Sequence, residues 1–194
     1  MKTIYFVTGN SGKVASLQHI LEQYGIKVKQ EKIELSEIQA DDLESVSVYK
    51  AKQAFDILKK PVIVDDSGFF IECLNGFPGV YTKYILDTIG INGLMAIMKN
   101  KENRNCGFKS VATFINSQGD IRVFNGPYEE GTLAKDIDNE EREEAWSELW
   151  KIWIPQGYNQ TLSQMLPQVK KERSVSKESH FSKFAEWISE NSEI

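Results

Sequence analysis

The chain has 194 residues, 41% of them hydrophobic and 26% charged, with a formal net charge of -5. That balance suits a single soluble domain over 1–194 with a real core. It argues against a partner such as a nucleic-acid polymer, which calls for a basic excess. No apolar run approaches the length of a membrane span. The first residues run straight into a polar turn rather than forming an export signal. Cys73 and Cys106, the two cysteines, are therefore expected as reduced thiols of a cytoplasmic protein.

Thr3 to Val7 reads as a first strand, followed by the polar turn Thr8-Gly9-Asn10-Ser11-Gly12-Lys13. Val14, Leu17, Ile20, Leu21 and Tyr24 then recur at helical spacing, and Gly25 ends the pattern. A strand, a small polar loop and a helix in direct succession present free N–H groups and a helix N-terminus to an anion. Lys13 adds a full positive charge. The spacing is not that of a P-loop, because only Asn10 and Ser11 separate Gly9 from Gly12 and Val14 follows the lysine. On these residues alone, a phosphate cradle and a plain strand-to-helix turn both stand.

Lys27 to Ile33 reads as a lysine-bearing edge strand. A helix is expected from about Asp42 to Leu58, capped by Asp41 or Asp42. Strands on either side of such a helix form a crossover unit, which favours neighbouring parallel strands. Val62-Ile63-Val64 reads as a short buried strand, with Asp65 and Asp66 where it should stop, a Ser67-Gly68 turn, and Phe69 to Glu72 returning as a strand. Adjacent strand residues face opposite ways. One acid can therefore face a ligand while the other braces the turn, in a place where open α/β sheets bind ligands.

A turn-rich segment, Leu74 to Tyr81, precedes a helical region ending near Lys99 and interrupted at Gly90 to Gly93. Ser110 to Asn116 and Ile121 to Asn125 form an expected hairpin around Ser117-Gln118-Gly119-Asp120. The acidic run Asp136 to Glu144 reads as a solvated face or loop. The spacing of Trp146, Trp150 and Trp153 fits one side of a helix, or an aromatic wall over a flat ligand, with core packing the commoner role. Phe181 to Ile188 is a last amphipathic helix.

The residues that can carry chemistry form a set: Asp66, with Asp65, at a strand end; Glu37 in a loop; Lys13 in the first loop; Lys50 in the second helix. Carboxylates hold a hard cation and lysines neutralise phosphate oxygens, so the set suits a magnesium-polyphosphate substrate. His19 and His180 show no zinc spacing, no Ser/His/Asp arrangement is apparent, and the cysteines lack the context of a thiol nucleophile.

Thr8-Gly9-Asn10-x-x-Lys13, Leu35-Ser36-Glu37-Ile38-Gln39, Lys50-Ala51, Asp65-Asp66-Ser67-Gly68 and Leu74-Asn75-Gly76-Phe77-Pro78-Gly79-Val80-Tyr81 together resemble the inosine triphosphate pyrophosphatase family. Their order and spacing fit from residue 1 to about residue 131. The resemblance implies an α/β fold with a mixed, elongated central sheet flanked by helices, in two lobes with a cleft between them, and a homodimer. It implies Mg2+-dependent hydrolysis of a nucleoside triphosphate to the monophosphate and pyrophosphate, a house-cleaning reaction on non-canonical purine nucleotides. Carried across, Glu37 and Asp66 are the metal and catalytic carboxylates. Thr8, Asn10, Lys13, Lys50, Ser67 and Gly68 lie on the phosphate side.

The last third departs from the pattern. The family's Gly-Phe-Gly-Tyr/Trp-Asp-Pro stretch falls on Trp146 to Lys151 without its signature residues, and its Ser-His-Arg falls on Ser176-Lys177-Glu178. The glutamate after the first-loop lysine is Ser16, and the acidic run replaces a Pro-Arg-Gly. Trp150, Ser176, Lys177 and Glu178 are then the base-side candidates. A buried site built for one hydrogen-bond pattern rejects another, so an altered base preference is expected. The alternative is a non-catalytic nucleotide-binding or protein-interaction module on the same fold.

Overall fold

The structure is a computed structural model and describes residues 2–141, 145, 147–170 and 178–191. Its strands are β1 (Lys2–Val7), β2 (Ile26–Glu31), β3 (Val62–Ile71), β4 (Pro78–Gly79), β5 (Asn105–Ile115), β6 (Ile121–Asn125), β7 (Glu129–Leu133) and β8 (Trp153–Pro155). The helices are α1 (Ser11–Leu21), α2 (Leu43–Leu58), α3 (Thr82–Thr88), α4 (Gly90–Ile97) and α5 (His180–Glu190). The strands form one mixed sheet in the order β2-β1-β3-β5-β7-β8, with β4 on β3 and β6 on β5. The expected mixed, helix-flanked sheet is therefore present. No helix among the described residues is long and apolar enough to cross a membrane.

The chain divides into two compact units. The first comprises residues 1–67, 110–127 and 178–194, and the second residues 68–109 and 128–177. The first unit has helices on both faces of its strands, and residue alternation decides which helix each strand residue meets. Ile4 and Phe6 of β1 and Ile63 of β3 pack with Leu17 and Leu21 of α1 and with Phe181, Phe184 and Ile188 of α5. Val7, Val62 and Val64 point the other way, into a cluster with Ala51 and Ala54 of α2. In the second unit the core gathers Phe69 and Ile71 of β3, Leu94 of α4, Phe108 of β5, and Trp150, Trp153 and Met165.

Most elements form where the sequence places them. Asp42 caps α2 by accepting from the Ser45 N–H at 2.7 Å. Gly90, at φ 63°, breaks the helical region into α3 and α4. The β5–β6 hairpin pairs Ile115 with Ile121, and β2 lies at the sheet edge with Lys27 and Lys29 exposed.

Three expectations are corrected. The strands flanking α2 are not neighbours: β2 and β3 each pair in parallel with β1, one on either side. The acids also do not end their strand, because β3 runs unbroken through Asp65-Asp66-Ser67-Gly68 to Ile71. Turn-forming residues continue in an extended strand when burial and ion pairing hold them there, and both acids have lysine partners. Gly68 meets a further constraint, since a Cβ there would stand 2.6 Å from the Gly79 carbonyl oxygen of β4. Trp150 and Trp153 do not share a helix either. Trp150 lies in a short 3-10 turn and Trp153 in β8, both buried.

Candidate active site

Alternation along β3 sorts the two acids. Asp65 has the parity of Ile63 and faces α1 and α5, whereas Asp66 has the parity of Val64 and faces α2. Each meets a lysine supplied by the helix on its own side.

On the first face, α1 begins at a loop whose Thr8 Oγ1 accepts from the Asn10 N–H at 3.1 Å. Asn10 Oδ1 then accepts from the N–H groups of Gly12 and Lys13, at 2.9 and 3.2 Å, capping the helix. Lys13 is thereby set in the first turn. Its ammonium donates to Asp65 Oδ2 and, at 3.3 Å, to Ser67 Oγ. Ser67 Oγ lies 3.0 Å from Ser110 Oγ of β5. The other oxygen of Asp65, Oδ1, lies 2.7 Å from His180 Nε2 at the start of α5. The Asp65 side chain is only 1% exposed. Burial alone would raise its pKa, but the Lys13 ammonium and the His180 ring more than offset that and hold the carboxyl well below the usual range.

On the second face, Lys50 of α2 donates to Asp66 Oδ1 at 2.6 Å and to Glu37 Oε1 at 3.2 Å. Glu37 sits in an extended loop, and Gln53, one turn beyond Lys50, pins that loop. Its amide donates to the Ser36 carbonyl at 2.8 Å and accepts from the Ser36 N–H at 3.1 Å. The single ammonium of Lys50 thus bridges two carboxylates. Burial raises the Asp66 pKa above its ordinary value, Lys50 offsets this only in part, and the neighbouring Asp65 charge adds to the rise. Burial lowers the Lys50 pKa, but Asp66 and Glu37 together outweigh it, so the ammonium is held above its ordinary value. The two groups move in the same direction because Lys50 has two acids to itself while Asp66 must share its lysine.

Asp66 Oδ2 is buried and has no hydrogen-bond partner. An orphaned carboxylate oxygen beside a second acid is a donor set for a hard cation. Among the described residues no cluster of three or more His, Cys, Asp or Glu side chains could hold a metal ion. Two carboxylates fit Mg2+, which keeps waters and completes its shell with substrate phosphate oxygens. The residues therefore suit the ion the sequence suggests.

Thr8, Asn10, Lys13, Glu37, Lys50, Asp66 and Ser67 all fall in the first unit, while Gly68 opens the second. Trp150 belongs to the second unit's core, with the Lys170 ammonium 4.9 Å from its ring centroid. Glu178 is exposed and pairs with Lys183 at 3.3 Å. Trp146, Ser176 and Lys177 lie outside the described residues, as do residues 142–144 of the acidic run. A cavity of about 840 Å3 in the second unit, with Phe70, Lys109, Tyr128 and Tyr158 on its wall, includes none of the site residues named above.

Sequence reasoning missed three participants. Gln53 and Ser110 carry no local signal. His180 does carry one: Ser179-His180 repeats the first two residues of the Ser-His-Arg tripeptide three positions beyond the register that puts it on 176–178. Sequence reasoning assigns His180 no partner, and the structure sets its ring against the Asp65 carboxylate. Cys106 is buried and its thiol is pushed up to about 12 by that burial, in keeping with the absence of a thiol nucleophile.

Comparisons with known proteins identify the family. Residues 4–187 match the Ham1 family. A dITP/XTP pyrophosphatase from Methanopyrus kandleri is 37% identical over 188 residues, covering 97% of each chain. One from Thermococcus kodakarensis is 37% identical over 186 residues, covering 96% of this chain and 97% of its own. Among solved structures, a HAM1 protein from Coxiella burnetii shares the fold at a TM-score of 0.80 and 20% identity, covering 98% of this chain and 100% of its own. The chain belongs to the Ham1 family.

Proposed function

We propose that the chain is a Mg2+-dependent nucleoside triphosphate pyrophosphatase, which hydrolyses its substrate to the nucleoside monophosphate and pyrophosphate. The observation that carries this reading is the paired acid-lysine arrangement on β3, above all Asp66 with one oxygen on Lys50 and the other buried without a partner. The similarity to two dITP/XTP pyrophosphatases supports it.

The triphosphate is met by positive charge from two helices. Lys13 and the first turn of α1 take phosphate oxygens on one side of β3, and Lys50 on the other, with Thr8, Asn10, Ser67 and Gly68 shaping the same stretch. The Asn10 side-chain oxygen is occupied by its cap, so this residue offers its amide N–H groups. Glu37 and Asp66 would hold Mg2+, which, when bound, supplies charge neutralisation along the polyphosphate. Asp66 orients the attacking water and accepts its proton, a task for which burial, by raising its pKa above the ordinary carboxyl value, makes it a better base. No covalent intermediate is needed, since positioning and electrostatics carry such a displacement.

Non-canonical purine triphosphates are the proposed substrates. An altered base preference is supported by the departures in the last third, where Phe181, after Ser179-His180, is buried in the core and offers no donor. A cytoplasmic homodimer completes the reading. Phe77, Tyr81, Tyr84 and Ile89, exposed on the second unit, support self-association.

The experiment is pyrophosphate release over canonical, deaminated and modified triphosphates, with and without Mg2+, in wild type and Asp66→Asn. Turnover that needs Mg2+ and is lost in Asp66→Asn is the expected result. Thermal stabilisation by nucleotides without hydrolysis would favour the binding-module alternative, and equal turnover by Asp66→Asn would refute the assignment.

A further inference from the structure

The proposed reaction gives Asp65 no task, yet Asp65 is the more heavily tethered of the two acids. One of its oxygens accepts from the Lys13 ammonium, and the other lies 2.7 Å from His180 Nε2, within ion-pair distance but outside hydrogen-bond alignment. A carboxylate this buried, with an ammonium against one oxygen and an imidazole against the other, is not offered to a ligand. Its partners are themselves fixed. Ser179 and Ser182 close a capping box at the head of α5, directly before and after the His180 turn. The His180 ring lies 4.2 Å, centroid to centroid, from that of Phe181. Gly126 allows the backbone of the β6 end to come close beneath the ring, where an added Cβ would stand 3.3 Å from Nδ1. Lys13, by contrast, reaches Asp65 on a four-carbon stem that is flexible unless something holds its end. A cation contributes to transition-state stabilisation only where it is aimed.

The geometry points to Asp65 as the positioning residue of this site: braced by His180, it fixes the Lys13 ammonium beside the head of α1 and makes α5 part of the phosphate-binding machinery. This rests on the reading that Lys13 contacts substrate phosphate. Asp65 touches neither substrate nor metal, and it acts through Lys13.

The test is a double-mutant cycle on kcat and KM with the preferred triphosphate, together with calorimetric binding of inorganic tripolyphosphate. Asp65→Asn, isosteric and neutral, is expected to lower kcat/KM about a hundredfold, mostly in kcat. In a Lys13→Met background the same change is expected to cost less than about threefold, because the group it acts through is already gone. His180→Ala is expected to give part of the Asp65→Asn loss, and His180→Gln, whose amide nitrogen can replace Nε2, to recover part of it. Losses that multiply across the cycle, or no recovery with His180→Gln, would overturn the proposal. Tripolyphosphate separates this failure from failure of the hydrolysis reading. Weaker binding by Asp65→Asn, with no further loss in the double variant, supports the positioning role whether or not the chain hydrolyses anything. Equal binding by wild type and Asp65→Asn overturns the role even if hydrolysis is found. Should Asp65→Asn not fold, Lys13→Met and His180→Ala carry the same cycle.

Discussion

Asp65 and Asp66 are neighbours of the same chemical type on one strand, and the fold gives them opposite characters. Asp65 looks toward α1 and α5, where a lysine takes one oxygen and the His180 ring stands within ion-pair distance of the other, and its pKa falls. Asp66 looks toward α2, where its lysine is shared with Glu37 and one oxygen is left without a partner, and its pKa rises. Residue type does not separate a bracing acid from a reactive one. The separation comes from strand alternation and from what the opposing helix brings.

The sharpest way to break this comparison is turnover. Asp66→Asn is expected to lower kcat by on the order of a thousandfold or more, since it removes both the proton acceptor and a metal ligand. A larger loss from Asp65→Asn than from Asp66→Asn would reverse the assignment. Lys50→Ala comes next, with an expected loss of about a hundredfold in kcat/KM, because it removes a cation from the phosphates and leaves Glu37 and Asp66 unbridged.

Stability is the smaller signal. At neutral pH, Asp65→Asn is expected to cost on the order of 2 kcal/mol in urea titration, since a buried partner of Lys13 is lost. The pH dependence distinguishes the two acids more cleanly than the size does. A carboxyl depressed in the fold stabilises above its unfolded value, near 3.8, and loses that contribution as pH falls through the folded value. The advantage of wild type over Asp65→Asn should therefore hold from pH 7 to about pH 5 and fade below about pH 4. Asp66 is raised, so its contribution is present below the unfolded value and is lost as pH rises through the folded one. Wild type should accordingly lose ground to Asp66→Asn as pH climbs above about 4. Slopes of the same sign would show that the two environments do not differ as described. The smallest effect belongs to Glu37→Gln. With its side chain 45% exposed, it should change stability by no more than about 0.5 kcal/mol while still lowering turnover.

What the sequence made legible was local or periodic. The strand, loop and helix from Thr3 onward, the Asp42 cap and the opposite facing of the two acids follow from spacing alone. The gathering of Lys13, Glu37, Lys50 and Asp66 followed from chemical type together with family resemblance. The continuity of β3 was not legible, because Asp-Asp-Ser-Gly is turn chemistry by composition. What overrides it is a lysine 52 residues upstream and a histidine at the head of the last helix. His180 escaped notice for the same reason, since its partner is an acid that only the folded sheet brings within reach. Gln53 escaped because a glutamine clamping a loop leaves no pattern behind it.

The order in which the chain is made adds a consequence of α5. This helix supplies Phe181, Phe184, Ala185 and Ile188 to a core whose other members, such as Ile4, Phe6 and Leu17, come from β1 and α1, far upstream in the chain. It also supplies the ring that braces Asp65. A ribosome that has translated everything through residue 177 has made all the lysines and acids of the site but not the element that closes them in. As the chain is made, the first unit therefore keeps an open apolar face until α5 has left the exit tunnel.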